Sequence, residues 1–303
     1  MKVLVTGASG LIGSALSKFL TAGGHSVIRL QRKNFEPESP VWDLENCIND
    51  LARNREKYAV VHLAGENIAD GRWSKKKKDR ILNSRVHGTK FLAAYFAGTD
   101  FKPELIISAS AVGFYGEHGT EIIDESFASG SGFLAGVCQQ WENSANIAEE
   151  AGIRVVNARF GAVLSSSGGA LKKMLLPFKM GLGGIIGSGE QYFSWVSIDD
   201  AVRIIQHIIA DDSIRGPVNF AAPNAVSNRE FTKTLGRVLR RPTIFPLPAV
   251  VARLAFGEMA DELLLTPIRV YPKKIVESGY KFLHPELGEA LKHILKAETF
   301  TKE

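Results

Sequence analysis

Three glycines, Gly7, Gly10 and Gly13, stand three residues apart between a short apolar run, Met1–Thr6, and a helix-like stretch, Ser14–Leu20. A strand, a glycine turn and a helix start in that order make an anion site. Free backbone N–H groups and the positive end of the helix dipole point at one spot. The ligand that suits such a turn is the pyrophosphate of a dinucleotide, held by Gly7, Ser9, Gly10, Leu11, Ile12 and Gly13. Glycines that merely supply unusual turn angles are the plainer reading. The strand before and the helix after favour the ligand.

The next strand selects the nucleotide. His25–Leu30 is apolar enough to be a strand, and it runs into Gln31-Arg32-Lys33. A site for NAD places a carboxylate there, on the ribose 2′-OH. No carboxylate occurs before Glu36. Arg32 and Lys33 instead offer cations to a 2′-phosphate, so the expected cofactor is NADP, as NADPH or its oxidised form.

These residues need a scaffold that brings loop ends together. Strands are predicted at 57–65, 103–110 and 154–160, with helices at 80–97 and 136–151 between them. This βαβ rhythm predicts an α/β fold, a Rossmann-type doubly wound parallel sheet. Ligands bind at the carboxyl edge of such a sheet. The glycine turn, Ala64-Gly65, Ser108-Ala109-Ser110 and Arg159-Phe160-Gly161 all fall there. After Gly161 the rhythm breaks into a serine loop, a helix at 171–180 and a second glycine-rich zone, 181–189. Trp195–Ile198 then reads as a strand, with Asp199-Asp200 capping a helix to Ile209. Pro242, Pro246, Pro248, Pro267 and Pro272 interrupt the remainder. The expected division is a nucleotide domain at 1–164 plus 190–215, and a smaller irregular C-terminal substrate lobe at 165–189 plus 216–303.

Composition narrows the classes. The chain has 303 residues, enough for a large core, and ordinary apolar and charged fractions. The two cysteines, Cys47 and Cys138, form no spaced framework, which favours a cytoplasmic, thiol-containing protein. No apolar run is long enough to span a bilayer, and the opening strand leaves no room for a leader. The net charge is +5, part of it in Arg72–Arg80. That cluster reads better as a solvated helix face than as a nucleic-acid surface. No metal site is expected. The expected partner is a small molecule, with the chain a monomer or homodimer and no nucleic acid or membrane partner.

Thr6–Gly13, His62–Gly65, Ser108–Gly116, Arg159–Gly161 and Trp195–Asp200 together resemble the extended short-chain dehydrogenase/reductases, which include sugar-nucleotide epimerases and dehydratases. Gly65–Ile68, Ser84–Thr89, Phe133-Leu134-Ala135 with Trp141-Glu142, and Gly181–Gly184 resemble one atypical branch. It is the NAD(P)-dependent, nucleoside-diphosphate-sugar epimerase-like branch, some of whose members carry a "cell division inhibitor" label. The resemblance implies an NADP-dependent oxidoreductase or epimerase-like activity on a small carbonyl or sugar-nucleotide substrate. It also implies cofactor contacts from Asp43 and Leu44 to the adenine, and from Leu63, Ala64, Gly65, Glu66 and Arg159 nearer the nicotinamide.

Departures from that family are equally specific. Its catalysis uses a Tyr-x-x-x-Lys pair, the Tyr moving a proton. Alignment on Glu142 puts Leu134 and Cys138 in those places, and Arg85 where the family has a helix Asn. The family's Ser is Ser110, with Ser108 as competitor. Three candidates remain for chemistry: Ser110; Tyr115, either an acid or a packing residue; and Arg85, either a cation for an acidic substrate or an ion-pair partner of Glu66 or Glu142. Glu66 and His118 lie at the same edge and titrate near neutrality only if buried. Cys138 has no basic neighbour to activate it. Gly187–Gly189, Gln191, Trp195 and Asp199 are expected on the substrate side, with Trp195 stacking on the substrate. The alternative function is a non-catalytic NADPH-binding sensor or partner-binding protein.

Overall fold

Strand β1 (Lys2–Thr6) buries every residue except Lys2, whose exposure is intermediate. Side chains alternate across a strand. Val3 and Val5 therefore pack on one face, with Leu16 and Leu20 below and Ile204, Ile205 and Ile208 beside them. Leu4 packs on the other, with Val60, Leu92 and Phe96. Burial on both faces is why these strands read as unbroken apolar runs. Each such side chain contributes about 1.5–3 kcal/mol of transfer free energy.

The computed structural model describes residues 1–31, 42 and 44–300, with side chains through 296. Five further strands join β1 in one sheet: β2 (Ser26–Leu30), β3 (Tyr58–His62), β4 (Leu105–Ala111), β5 (Arg154–Phe160) and β6 (Gly216–Phe220). All adjacent pairs are parallel, in the order β2-β1-β3-β4-β5-β6. The helices that frame the site are α1 (Leu11–Ala22), α2 (Glu45–Arg53), α3 (Lys75–Gly98), α4 (Phe133–Glu150), α5 (Gly169–Lys179), α6 (Ile198–Ala210), α7 (Asn228–Leu239), α8 (Ala249–Phe256) and α9 (Leu287–Phe300). The chain runs from β1 outward to β2, then returns to β3 on the opposite side. The reversal leaves a crevice between the carboxyl ends of β1 and β3, where ligands enter open α/β sheets.

Three boundaries differ from the sequence expectation. The sixth strand lies beyond residue 215, in the stretch assigned to the lobe. α3 starts at Lys75 rather than after the basic cluster, because Ser74 caps it by accepting from the Lys77 N–H at 3.2 Å. The lysines there are only partly solvated: Lys77 is buried on Glu66, and Lys78 pairs with Glu258 over the Phe133 ring. The cap of α6 is Ser197, which accepts from the Asp200 N–H at 3.0 Å, so Asp200 lies inside the first turn.

Asp200 is fully buried and ties the C-terminal segment to the sheet domain. Its carboxylate accepts from the Ser197 and Tyr280 hydroxyls and from the backbone N–H groups of Leu283 and His284, at 2.7 to 2.9 Å. A separate apolar cluster gathers Leu171, Leu175, Phe178, Trp195, Phe231, Leu235 and Leu291. Trp195 has no exposed surface and donates to the Asn224 carbonyl at 3.1 Å. It packs inside this cluster, with no surface left to stack on a substrate. Among the described residues, no helix is long and apolar enough to cross a membrane.

Candidate functional site: an open glycine turn beside a saturated polar network

The turn after β1 is shaped by two close approaches. Gly7 has φ +65°, and a Cβ on it would stand 2.8 Å from the Leu63 carbonyl. This contact brings β1 and β3 together at the mouth of the crevice. A Cβ on Gly13 would collide with the Gly7 carbonyl oxygen, so α1 sits directly on the turn. Gly10 closes it, donating to the Gly7 carbonyl at 2.9 Å. Helix α1 then begins at Gly10 with no side-chain cap and no acidic residue in its first turn. Ser9 and Gly10 are exposed, and Leu11 and Ile12 are half-buried. The first N–H groups of a helix have no partner within it. Here they form a positive pole that no side chain caps among the described residues, and this geometry fits a pyrophosphate.

The floor of the crevice is Leu63–Gly65. The Leu63 N–H donates to Thr6 Oγ1 at 3.2 Å, and Ala64 is buried. Gly65 lies against Arg85, whose guanidinium carbon would be 3.4 Å from a Cβ at 65. Arg85 is half-buried, donates to the Ile81 carbonyl at 3.0 Å and lies 5.0 Å from the Trp141 ring. Burial pulls it below its ordinary value, while Cys138 and Glu66 pull the other way. It thus keeps a cation beside the crevice without the direct ion pair to Glu66 or Glu142 that was its other reading. The Glu66 carboxylate is instead held by Lys77 at 2.7 Å, and its backbone N–H donates to Ser84 Oγ at 3.0 Å. Only its backbone lies along the floor.

Behind the crevice, β4, β5, β6 and α4 converge on one buried network. Ser110 Oγ donates to Glu142 Oε1 at 2.7 Å. Arg159 grips both Glu142 oxygens, from Nε and Nη2, at 2.8 Å each. Its third arm, Nη1, donates to the Tyr115 hydroxyl at 2.9 Å, which donates onward to Asn219 Oδ1 at 2.8 Å. The Asn219 N–H donates to Glu125 Oε1 at 3.0 Å. Every residue here is buried. Forked Arg–carboxylate pairing is the strong form of this contact. For Arg159, burial opposes the charge, but the bonds to Glu142 and Tyr115 win and hold it above its ordinary value. Burial pushes the Tyr115 phenol up to about 12 despite Arg159, and pushes the Glu125 carboxyl up as well.

Several expected site residues therefore stand elsewhere. The Arg159 guanidinium faces Glu142 and lies 3.5 Å from the Phe114 ring centre, engaged within the network. Tyr115 is fully buried with its hydroxyl engaged at both ends, which removes it as a free acid. Ser110 joins the network, whereas the Ser108 hydroxyl is buried without a hydrogen-bond partner among the described residues. Leu44 is buried in the core on the α2 side. Arg32 and Asp43 lie outside the described residues. Leu134 and Cys138 are buried on α4, and burial pushes the Cys138 thiol up to about 11. That thiol is no nucleophile. His118 is half-buried beside Glu121, at 3.6 Å. Asp199 faces His284 and His293 rather than a substrate.

The sequence reading missed Asn219, Glu125 and Glu262. Glu262 closes the start of α4, accepting from the N–H groups of Phe133 and Leu134 at 2.9 and 3.1 Å. All three lie far along the chain from their partners, and no motif marks them. Glu142 carried a signal, as an acid on the face of α4 that otherwise reads as core.

Residues 3–221 match the NAD dependent epimerase/dehydratase family, and residues 247–294 match a domain of unknown function, DUF1731. The chain is 44% identical over 290 residues to an epimerase family protein of Mycobacterium tuberculosis, covering 95% of this chain and 96% of the other. It is 37% identical to the human epimerase family protein SDR39U1, over 97% of this chain and all of that one. A crystal structure of human SDR39U1, isoform 2, with NADPH superposes with a TM-score of 0.86 at 35% identity, over 98% and 99% of the two chains. A nucleoside-diphosphate sugar epimerase from Corynebacterium glutamicum superposes at 0.77 with 36% identity, over 97% of this chain and 58% of that one. By the extent of these matches, the chain is a member of the NAD dependent epimerase/dehydratase family.

Proposed function

We propose that the protein binds NADP(H) and acts as an oxidoreductase or epimerase-like enzyme on a small carbonyl or sugar-nucleotide substrate. The observation that carries this reading is the bare start of α1 over the Gly7–Gly13 turn. The NADPH in the human relative's crystal structure and the Arg32-Lys33 pair support the phosphorylated cofactor. The backbone of Ser9 to Ile12 would hold the pyrophosphate, Leu63 to Gly65 would line the floor, and Arg32 would meet the 2′-phosphate. A bound nicotinamide supplies two-electron redox chemistry.

The chain's own residues set what surrounds that chemistry. Ser110 donates its O–H hydrogen bond to Glu142, so its oxygen keeps its lone pairs for accepting. It is suited to accept a hydrogen bond from a substrate hydroxyl. Glu142 and Arg159 fix Ser110 and do not exchange protons with substrate. Arg85, at the crevice floor, would orient an anionic group of the substrate. Leu134 and Cys138 leave the usual proton-moving pair unfilled.

NADPH fluorescence titration with melting curves tests the cofactor reading. Native protein should bind and melt higher, and Gly13→Ala should do neither. No binding by native protein would overturn the proposal. Turnover is tested with panels of carbonyl compounds and nucleoside-diphosphate sugars, with Ser110→Ala as control. The engaged hydroxyls of Ser110 and Tyr115 favour a second reading, a non-catalytic NADPH sensor. Tight cofactor binding, no turnover across both panels, and no gain from Leu134→Tyr with Cys138→Lys would select it.

A further inference from the structure

Away from the crevice, three side chains from separate elements meet where the C-terminal segment crosses α6. Asp199 projects from the first turn of α6, His284 from the loop before α9, and His293 from α9 itself. His293 Nε2 lies 3.3 Å from Asp199 Oδ2, and His284 Nε2 lies 4.0 Å from the same oxygen. The two imidazole rings are 4.6 Å apart, tilted by 35°. One ligand atom from each residue falls within 4.8 Å of the others.

His284 makes this more than a surface cluster. The residue is 8% exposed, and its Nε2 is buried without a hydrogen-bond partner among the described residues. A buried ring nitrogen with no partner carries the full cost of losing water. Its position is fixed from behind, since the His284 and Leu283 N–H groups are both bound by Asp200. Those bonds fix the backbone from which the ring projects. Its Nε2 faces the Asp199 carboxylate, with the His293 ring beside it.

We propose that Asp199, His284 and His293 form a divalent metal site of the zinc class. Two imidazole nitrogens and one carboxylate oxygen suit zinc and other late first-row ions, while magnesium and calcium favour all-oxygen sets. Bonds of about 2.0–2.2 Å in tetrahedral geometry place ligand atoms roughly 3.3–3.6 Å apart. The Asp199–His293 distance already meets this, and the His284 distance needs to close by only about half an ångström. His293 and Asp199 are half-exposed and free to make that adjustment. Water from the open side would complete the shell. The ion would clip the DUF1731 segment to the epimerase segment, since Asp199 belongs to 3–221 and both histidines to 247–294. It would not touch the crevice, so the site is independent of the cofactor reading.

The test uses the untagged full-length protein, stripped with EDTA. Calorimetric titration with Zn²⁺ should show one ion per chain, and the ion should raise the melting temperature. Co²⁺ should give the intense visible bands of a tetrahedral site. His293 is exposed, so His293→Ala will fold. It should lose at least the roughly tenfold in zinc affinity that loss of an outer-shell partner costs, and lose the melting shift. Asp199→Asn and His284→Ala should do the same. Absence of stoichiometric binding would overturn the proposal. So would zinc binding unchanged in His293→Ala, or a cluster that responds only to protons, with melting sensitive to pH but not to Zn²⁺.

Discussion

Helices α1 and α4 both begin at a glycine and both point their starts toward the ligand edge, yet the two starts are treated oppositely. At α1 the positive pole is left open: no side chain caps Gly10, and the first turn has no acid. At α4 the pole is closed from far along the chain by Glu262, and Gly132 leaves room for that carboxylate. The same contrast extends into the surroundings. Among the described residues no side chain caps the start of α1, whereas Ser110, Glu142, Arg159, Tyr115 and Asn219 around α4 satisfy one another. A helix dipole alone does not mark a binding site. What marks it is the absence of an internal acceptor.

Breaking the saturated side should have the largest effect. Glu142→Ala leaves the Arg159 guanidinium buried without its carboxylate and should cost about 3–5 kcal/mol in urea unfolding. The Tyr115 phenol gives the next effect. Its value is raised from 10 to about 12 in the folded protein, so folding favours the protonated form. That contribution is complete below pH 10 and disappears as pH rises through about 12. The stability advantage of native protein over Tyr115→Phe should shrink by about 2–3 kcal/mol across that window. Tyr58 and Tyr280 are also raised, but they are present in both proteins and cancel.

The other two changes act on the helix starts themselves. Ser9→Asp puts an acid before α1 and makes it resemble α4. NADPH affinity should fall roughly tenfold, about 1.4 kcal/mol, with folding stability within about 0.5 kcal/mol of native. Glu262→Ala does the reverse and should cost about 1 kcal/mol, in the range of a lost helix cap. If the contrast is right, inorganic phosphate should then raise the melting temperature of Glu262→Ala more than that of native protein.

What was legible in the sequence was local. The Gly7–Gly13 turn needs only adjacent residues, so its strand, turn and helix could be read directly, and the sheet followed from the repeating pattern. The network was hidden because its members are spread over β4, α4, β5, β6 and the turns that carry Tyr115 and Glu125, and pair across up to 104 positions, as Tyr115 does with Asn219. Glu142 served to align the helix and as a possible partner of Arg85, and its actual partner Arg159 read as a cofactor contact because it ends a strand at the ligand edge. The start of α3 was misplaced because consecutive lysines suggest solvent. Lys77 is buried all the same, since Glu66 from the neighbouring loop neutralises it. Trp195 was placed on the substrate side by its position in the chain, and nothing in its own neighbourhood reveals α7 and α9 packing around it.

The four donors gathered on Asp200 have a consequence for how this chain can be cut. Two of its bonds come from Leu283 and His284 and a third from Tyr280, all within the DUF1731 segment. A truncation ahead of Tyr280 would strand a buried carboxylate beneath α6, against the sheet that carries the glycine turn. The two halves are therefore not detachable modules, and a shortened epimerase portion expressed by itself should be insoluble or rapidly degraded.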